Sequence, residues 1–363
     1  MKPKSWLFLT FSLWILFSFM VVGLNCAIDH YGILYSLFSK KEKGMPLYLP
    51  AGLNQHIFNP EYVFRHHNRF DGYLFGSSRT AVIDTSRIPG FSVFNMSYPQ
   101  GLPQEHLDVL QAFLRKGIKL RLVMIGLDDF CFSLPHSEHE RYLMFVPHPE
   151  VSGQSRFIIF MKFFYRLPTW KELDEWWKRI KTKGKKGTLV LNADGQNLSF
   201  MGKEEIIKRV GKPIFAYERT RGSQKTQAFN EAAQERAFSA LGEIIRLSKQ
   251  YGFDLIFFIN PHYAEAYEDE VEAMMRVKER LAGMTGFYDF SGFNAVTVNP
   301  LNYYEESHYR YGVGDLIIGR IFPSGRLPVP PDFGRWVTAA NVRAHLARER
   351  KAFETYLKGK GKR

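Results

Sequence analysis

The chain is poor in cysteine: among 363 residues only Cys26 and Cys131 occur. One stands at the end of an apolar run and the other inside Asp129-Phe130-Cys131-Phe132, so neither has an internal disulfide partner. Cys131 reads as a small core residue. Acidic residues are also few beside basic ones, 36 against 49, which leaves a formal net charge of +13. Such a surplus suits an anionic polymer, anionic lipid or nucleic acid. Zinc-finger spacing, an RNP-like aromatic motif and a basic-region heptad are all missing, so no nucleic acid is expected as a partner. His66-His67, and His136 with His139, have no third ligand at useful spacing. They read as surface or packing histidines, and no metal is expected.

Charge is absent altogether from Ser5 to Ile28. The run is long enough to cross a hydrocarbon layer, which takes roughly 20 residues. Lys2 and Lys4 precede it, which predicts a cytoplasmic N-terminus. A cleaved signal peptide would have a shorter apolar region and a small-x-small site, whereas Gly23-Leu24-Asn25-Cys26-Ala27 offers none. An uncleaved anchor over 1–28 is expected, with the rest of the chain outside the cytoplasm.

What is present supports a large folded body. Hydrophobic residues make up 45% and aromatics 15%, which excludes wholesale disorder. After a connecting region, 29–71, strands are predicted over 72–76, 92–95, 120–126, 254–259 and 287–290. Helices are predicted over 103–116, 228–250, 265–283, 311–322 and 335–356. Alternation of this kind predicts an α/β domain over 72–330, with a parallel sheet covered on both faces. Ligands then bind beyond the carboxyl ends of the strands, where Gly76, Gly126 and Asn260-Pro261-His262 fall.

The alternation is interrupted over 132–227, read as an insertion over one end of the sheet. It holds a helical run at 169–181, then Lys178, Arg179, Lys181, Lys183, Lys185 and Lys186, then a possible strand, Thr188-Leu189-Val190-Leu191. The cluster is either a solvated loop or a patch for anionic polymer or lipid headgroups. Residues 331–363 read as a basic helix fraying into a solvated tail.

Two short stretches carry chemistry. Gly76-Ser77-Ser78-Arg79 follows the apolar run Gly72-Tyr73-Leu74-Phe75. It reads either as a solvated turn or as one that presents a hydroxyl at the sheet edge, with backbone amides facing a developing negative charge. Far downstream stands Glu305-Glu306-Ser307-His308-Tyr309-Arg310. A hydroxyl nucleophile needs a base, and the base needs an orienting acceptor. Glu305, three residues before His308, lies within one turn of it. A predicted helix from Gly312 to Phe322 would hold this loop in place.

Gly76-x-Ser78, Gly126-Leu127-Asp128-Asp129 and Glu305-x-x-His308-Tyr309, in that order, resemble the blocks of the SGNH hydrolase superfamily. More closely, the chain is similar to membrane-anchored SGNH-like proteins of bacterial envelopes, such as those of alginate O-acetylation and teichoic acid D-alanylation. The resemblance covers about 70–130 and 250–322. It implies a three-layer αβα sheet domain behind one transmembrane helix in the bacterial inner membrane, with the domain in the periplasm. It implies Ser78 as nucleophile, His308 as base and Glu305 as orienting acid, with the amides of Ser78 and Gly101 lining an oxyanion hole. Two departures stand out. Glu305 replaces the usual Asp, and Asp128 stands where an Asn donor is usual; an ionised Asp cannot donate. The implied activity is acyl transfer through a seryl ester, as an esterase or O-acetyltransferase, on an envelope polysaccharide. No cofactor is needed, and a polytopic membrane O-acyltransferase is the implied protein partner. A non-catalytic scaffold binding a glycan or such an acyltransferase is the alternative.

Overall fold

A computed structural model describes residues 3–38, 46–182, 188–215, 230–323 and 327–360. Of the basic cluster, Lys183, Lys185 and Lys186 lie outside the described residues. Ten strands run through the described chain: β1 Leu47–Pro50, β2 Gly72–Phe75, β3 Val93–Asn95, β4 Leu122–Leu127, β5 Thr188–Leu191, β6 Asp254–Ile259, β7 Phe287–Asp289, β8 Tyr303–Glu305, β9 His308–Tyr309 and β10 Arg335–Val337. The chain divides into two compact units, Met1–Arg65 with His139–Ala193, and His66–Glu138 with Asp194–Arg363.

The first unit carries the apolar helix Pro3–Ile28, which is long and apolar enough to span a membrane. Its strands β1 and β5 pair antiparallel, with Leu47 opposite Leu191. Ile33 and Ile57 pack with Ile159, Phe163 and Phe164. The buried Glu61 carboxylate meets His148 at 2.8 Å. These pairings redraw the expected boundaries. The connecting region through Arg65 and the first part of the expected insertion form one body, because β1 finds its partner in β5. From Asp194 onward the insertion belongs to the second unit.

The second unit is built on a six-stranded sheet, ordered β10-β7-β6-β4-β2-β3. β3, β2, β4, β6 and β7 run parallel, and β10 pairs antiparallel with β7. The sheet is therefore mostly parallel, as the alternation predicts, with one antiparallel edge strand. Every residue of β4 is buried, as a central strand covered on both faces requires. Side-chain alternation sorts the faces. Leu74, Met124 and Phe258 pack with Val313, Ile317 and Ile318 of the helix Tyr311–Ile321. Tyr73 and Phe75 point the other way, onto Phe113 and His106 of the helix Pro103–Arg115. The helix Glu231–Tyr251 lies beside that one.

Among the described residues, the start of the C-terminal segment is docked on the sheet rather than solvated. β10 closes one sheet edge, and the helix Val342–Lys360 buries Val342, His345 and Glu349. The reason is one buried lysine. Lys278 Nζ lies 2.6 and 2.7 Å from the Glu349 oxygens and 2.8 Å from Asp289 Oδ2. His345 Nε2 meets the same Asp289 oxygen at 2.7 Å. Removing one partner from such a cluster strands buried charge, whereas removing opposite charges together does not. Lys278→Met is expected to lose about 3–5 kcal/mol in denaturant unfolding. Combining it with Glu349→Leu should lose less than the single change. An unchanged midpoint for Lys278→Met would show that other contacts hold the C-terminal helix.

Candidate active site

The turn after β2 depends on two glycines. Gly76 has φ +151°, and a Cβ there would stand 2.4 Å from Thr80 Oγ1. A Cβ on Gly101 would stand 2.4 Å from the Gly76 carbonyl oxygen. Only bare backbone fits at either place. The two adjacent serines then face opposite ways. Ser77 is buried, and its Oγ accepts from the Arg79 amide at 3.1 Å. Ser78 stays partly exposed.

His308 reaches Ser78 from a short antiparallel hairpin, β8–β9, rather than from a loop. In its register Glu305 is opposite His308. Directly opposed residues have neighbouring side chains, which here takes the place of the expected turn. His308 Nε2 lies 2.9 Å from Ser78 Oγ, and its Nδ1 lies 2.5 Å from Glu305 Oε1. Ser307 Oγ sits 3.0 Å from the same Nδ1. Glu305's other oxygen accepts from Lys203 Nζ at 3.0 Å. The His308 hydrogen bond draws the Glu305 carboxyl down; burial opposes it, Lys203 adds to it, and it settles at about 2. Glu305 is thus a carboxylate that fixes Nδ1–H toward itself and leaves Nε2 to receive a proton.

The hairpin is itself clamped. Arg310 Nε and Nη2 donate to the two Glu204 oxygens at 2.9 and 2.7 Å, and Tyr304 Oη donates to the same carboxylate at 2.7 Å. Phe200 stacks on Tyr304 and stands 5.1 Å from the His308 ring. Beyond it, the helix Tyr311–Ile321 packs so closely on the segment after Ser78 that a Cβ on Gly314 would be 3.3 Å from Ile83.

Beneath the serine turn lies a nearly dry charge cluster. Arg79 Nη1 donates to Asp128 Oδ1 and Asp129 Oδ1, each at 2.9 Å, and Arg79 Nε donates to the Ser307 carbonyl at 2.9 Å. Asn260 Nδ2 donates to Asp128 Oδ2 at 3.2 Å and to Thr80 Oγ1 at 3.0 Å, and Asn260 Oδ1 accepts from Tyr309 Oη at 3.1 Å. Burial pushes the Asp128 carboxyl up, but the Arg79 charge and His262 more than reverse that, leaving it at about 2. Asp128 is therefore an ionised acceptor with both oxygens occupied. Asp128, at the position where an Asn donor was the usual residue, is the counter-ion of Arg79. Gly101 borders the turn through the Gly76 contact, and its carbonyl accepts from Cys131 Sγ at 3.4 Å.

His262 Nε2 stands 3.1 Å from Arg79 Nη1 and 3.5 Å from Asp128 and Asp129. The two hydrogens on Nη1 are taken by the aspartates, so His262 Nε2 faces those carboxylates as a donor rather than accepting from Arg79. Burial and Arg79 press its pKa down, while Asp128 and Glu270 outweigh them and hold it up at about 9. Among the described residues two groups have the composition of a metal site, Asp128–Asp129–His262 and Asp289–His345–Glu349. Neither fits a metal well, because Arg79 and Lys278 already place a cationic nitrogen among those oxygens.

The structure thus brings together Ser78, His308 and Glu305, and sets Gly101 beside the turn. Arg79, Lys203 and Phe200 contact these residues or their supports but carry no role in the motifs, whereas Asn260 stands at a strand end where ligands were expected. Arg79 stands next to Ser78, yet its partners lie 49 and 228 residues away in sequence. Lys203 and Phe200 come from a stretch without a recognisable motif.

The cluster gives stability a pH signature. Asp128 is depressed, so its contribution is present above its ordinary value near 3.8 and lost as pH falls through about 2. His262 is raised, so its contribution is full below its ordinary value of 6.5 and lost as pH rises through about 9. The melting temperature should fall between pH 7 and about pH 10, and His262→Gln should flatten that limb while lowering stability at pH 6. An alkaline limb that is the same in both proteins would show that His262 is neutral in the fold. Comparison with protein-family models finds none that matches the chain, and comparison with curated proteins finds no match.

Proposed function

We propose that the chain is a serine acyl-transfer enzyme of the SGNH-hydrolase type. The observation that carries this is the line from Ser78 Oγ to His308 Nε2 and from His308 Nδ1 to Glu305. Nucleophile, base and orienting acid stand within hydrogen-bond reach at a partly exposed serine, on rigid supports. In this reading Ser78 Oγ attacks an ester carbonyl while its proton passes to His308 Nε2. The tetrahedral oxyanion is held by backbone amides at Ser78 and Gly101, since Asp128 can only repel it. Collapse expels the alcohol, which takes the proton back from His308, and leaves the acyl group on Ser78. Water then releases the acid, or a sugar hydroxyl takes the acyl group.

The substrate class follows from the resemblance and the charge balance. An O-acetylated polysaccharide of the bacterial envelope, often anionic, suits a chain of net charge +13. The apolar N-terminal helix is read as a single inner-membrane anchor, with the catalytic unit in the periplasm. A non-catalytic scaffold for a glycan or a membrane-bound O-acyltransferase is the second reading. The ionised, fully occupied Asp128 favours it, because no side-chain amide donates at that position.

Serine-directed phosphonate labelling of the full chain in detergent separates the two. Wild type should label at Ser78, and Ser77→Ala should label as well as wild type. His308→Ala should slow labelling about a thousandfold or more, and Glu305→Gln by less. Folded wild type that does not label would favour the scaffold.

A further inference from the structure

The helix Pro3–Ile28 buries one narrow stripe. Val21, Asn25 and Ile28, spaced four and three residues apart, face the body of their unit. Val22 and Cys26 are half-buried beside them, and most of the helix from Trp6 to Met20 is exposed and apolar. Asn25 Nδ2 lies within hydrogen-bond distance of the carbonyls of Val21 (3.0 Å), Phe164 (3.2 Å) and Arg166 (2.6 Å). Seven residues earlier, Ser18 Oγ stands 3.2 Å from Tyr165 Oη. The stretch that meets the helix is therefore 164–166, at the end of the helix Arg156–Phe164 and just before the helix Trp170–Lys181.

That stretch divides its apolar residues. Ile159, Phe163 and Phe164 pack inward on Ile33 and Ile57. Phe157, Leu167 and Trp170 do not, and are 69%, 68% and 87% exposed, with Ile158 and Tyr165 exposed beside them. Scattered exposed apolar residues are ordinary, but a group this large next to an apolar helix is not.

The contacts also fix depth, if the helix crosses a bilayer as read above. The charge-free run ends at Ile28, so Asn25 lies near the outer boundary of the hydrocarbon. Ser18 then lies about 10 Å deeper, at 1.5 Å per residue. The backbone tied to Asn25 is at the interface, and the Tyr165 ring hangs toward the acyl chains. The side chains are those of an interfacial element: aromatic rings with polar tips, and Arg156, Lys162 and Lys171 exposed on its flanks.

We infer that the helix Arg156–Phe164, continuing through Leu167 to Trp170, is a second membrane contact that lies in the interface of the bilayer crossed by Pro3–Ile28. Phe157, Ile158, Leu167 and Trp170 sit among lipid chains rather than against a protein. Lipid is the occupant because the patch is continuous with a lipid-facing helix and is tied to it at interface depth. This rests on the membrane-spanning reading of that helix.

The test uses the full chain in phosphatidylethanolamine–phosphatidylglycerol vesicles, with Cys26→Ala and Cys131→Ala. Single bimane-labelled cysteines are placed by Phe157→Cys, Leu167→Cys or Trp170→Cys; the side chains replaced are exposed, so the labels displace no packing. Phe8→Cys reports on the spanning helix alone. Adding 5-doxyl lipid should dim all four probes at least about twofold, with little quenching by aqueous iodide. Lipid quenching at Phe8, but iodide quenching without lipid quenching at the other three, would overturn this inference and leave the anchor intact. Absence of lipid quenching at Phe8 would overturn the anchor reading, and the inference with it.

Discussion

Arg79 is mostly buried at the carboxyl end of the sheet, and its charge is tolerable there only because Asp128 and Asp129 face it. This one guanidinium ties three parts of the chain. It follows Ser78 on the turn after β2. Its Nη1 holds the residues after β4. Its Nε holds the carbonyl of Ser307, next to His308. Ser78 and His308 are 230 residues apart in sequence, yet each adjoins a residue that this one guanidinium anchors: Ser78 precedes Arg79, and His308 follows Ser307. Under the proposed acyl transfer, misplacement by an ångström would cost most of a base's effect, so this fixed link would matter to the rate.

The same constraint explains the residue at position 128. An amide there would leave Arg79 and His262 with too little counter-charge beneath the serine. The carboxylate serves the cluster, and in the proposed reaction the oxyanion would be met by backbone N–H groups. The cradle for those groups is set by Gly76 and Gly101, whose backbones approach more closely than any side chain would allow. Charge balance under the turn and backbone geometry at the turn are two halves of one design.

Much of this arrangement was legible in the sequence, and the rest was not for physical reasons. Short apolar runs bounded by turns marked β2, β4 and β6, because buried parallel strands leave that pattern. Gly76-x-Ser78 and Glu305-x-x-His308 were visible because each is local. The pairing of β1 with β5, the Lys278–Glu349 bond and the Lys203–Glu305 contact are long-range, and no local pattern records a partner 70 or more residues away. The basic C-terminus misled for a related reason. Its lysines and arginines read as solvated, while the helix is docked by Glu349 on Lys278 and by His345 on Asp289.

The central claim is that Ser78 carries the acyl group. The direct measurement is intact-protein and peptide mass spectrometry after rapid acid quench of the full chain mixed with 4-nitrophenyl acetate. One acetyl group is expected on the peptide containing Ser78, formed in a burst and absent from Ser78→Ala. Folded wild type that releases no nitrophenol and carries no acetyl group on Ser78 would contradict it.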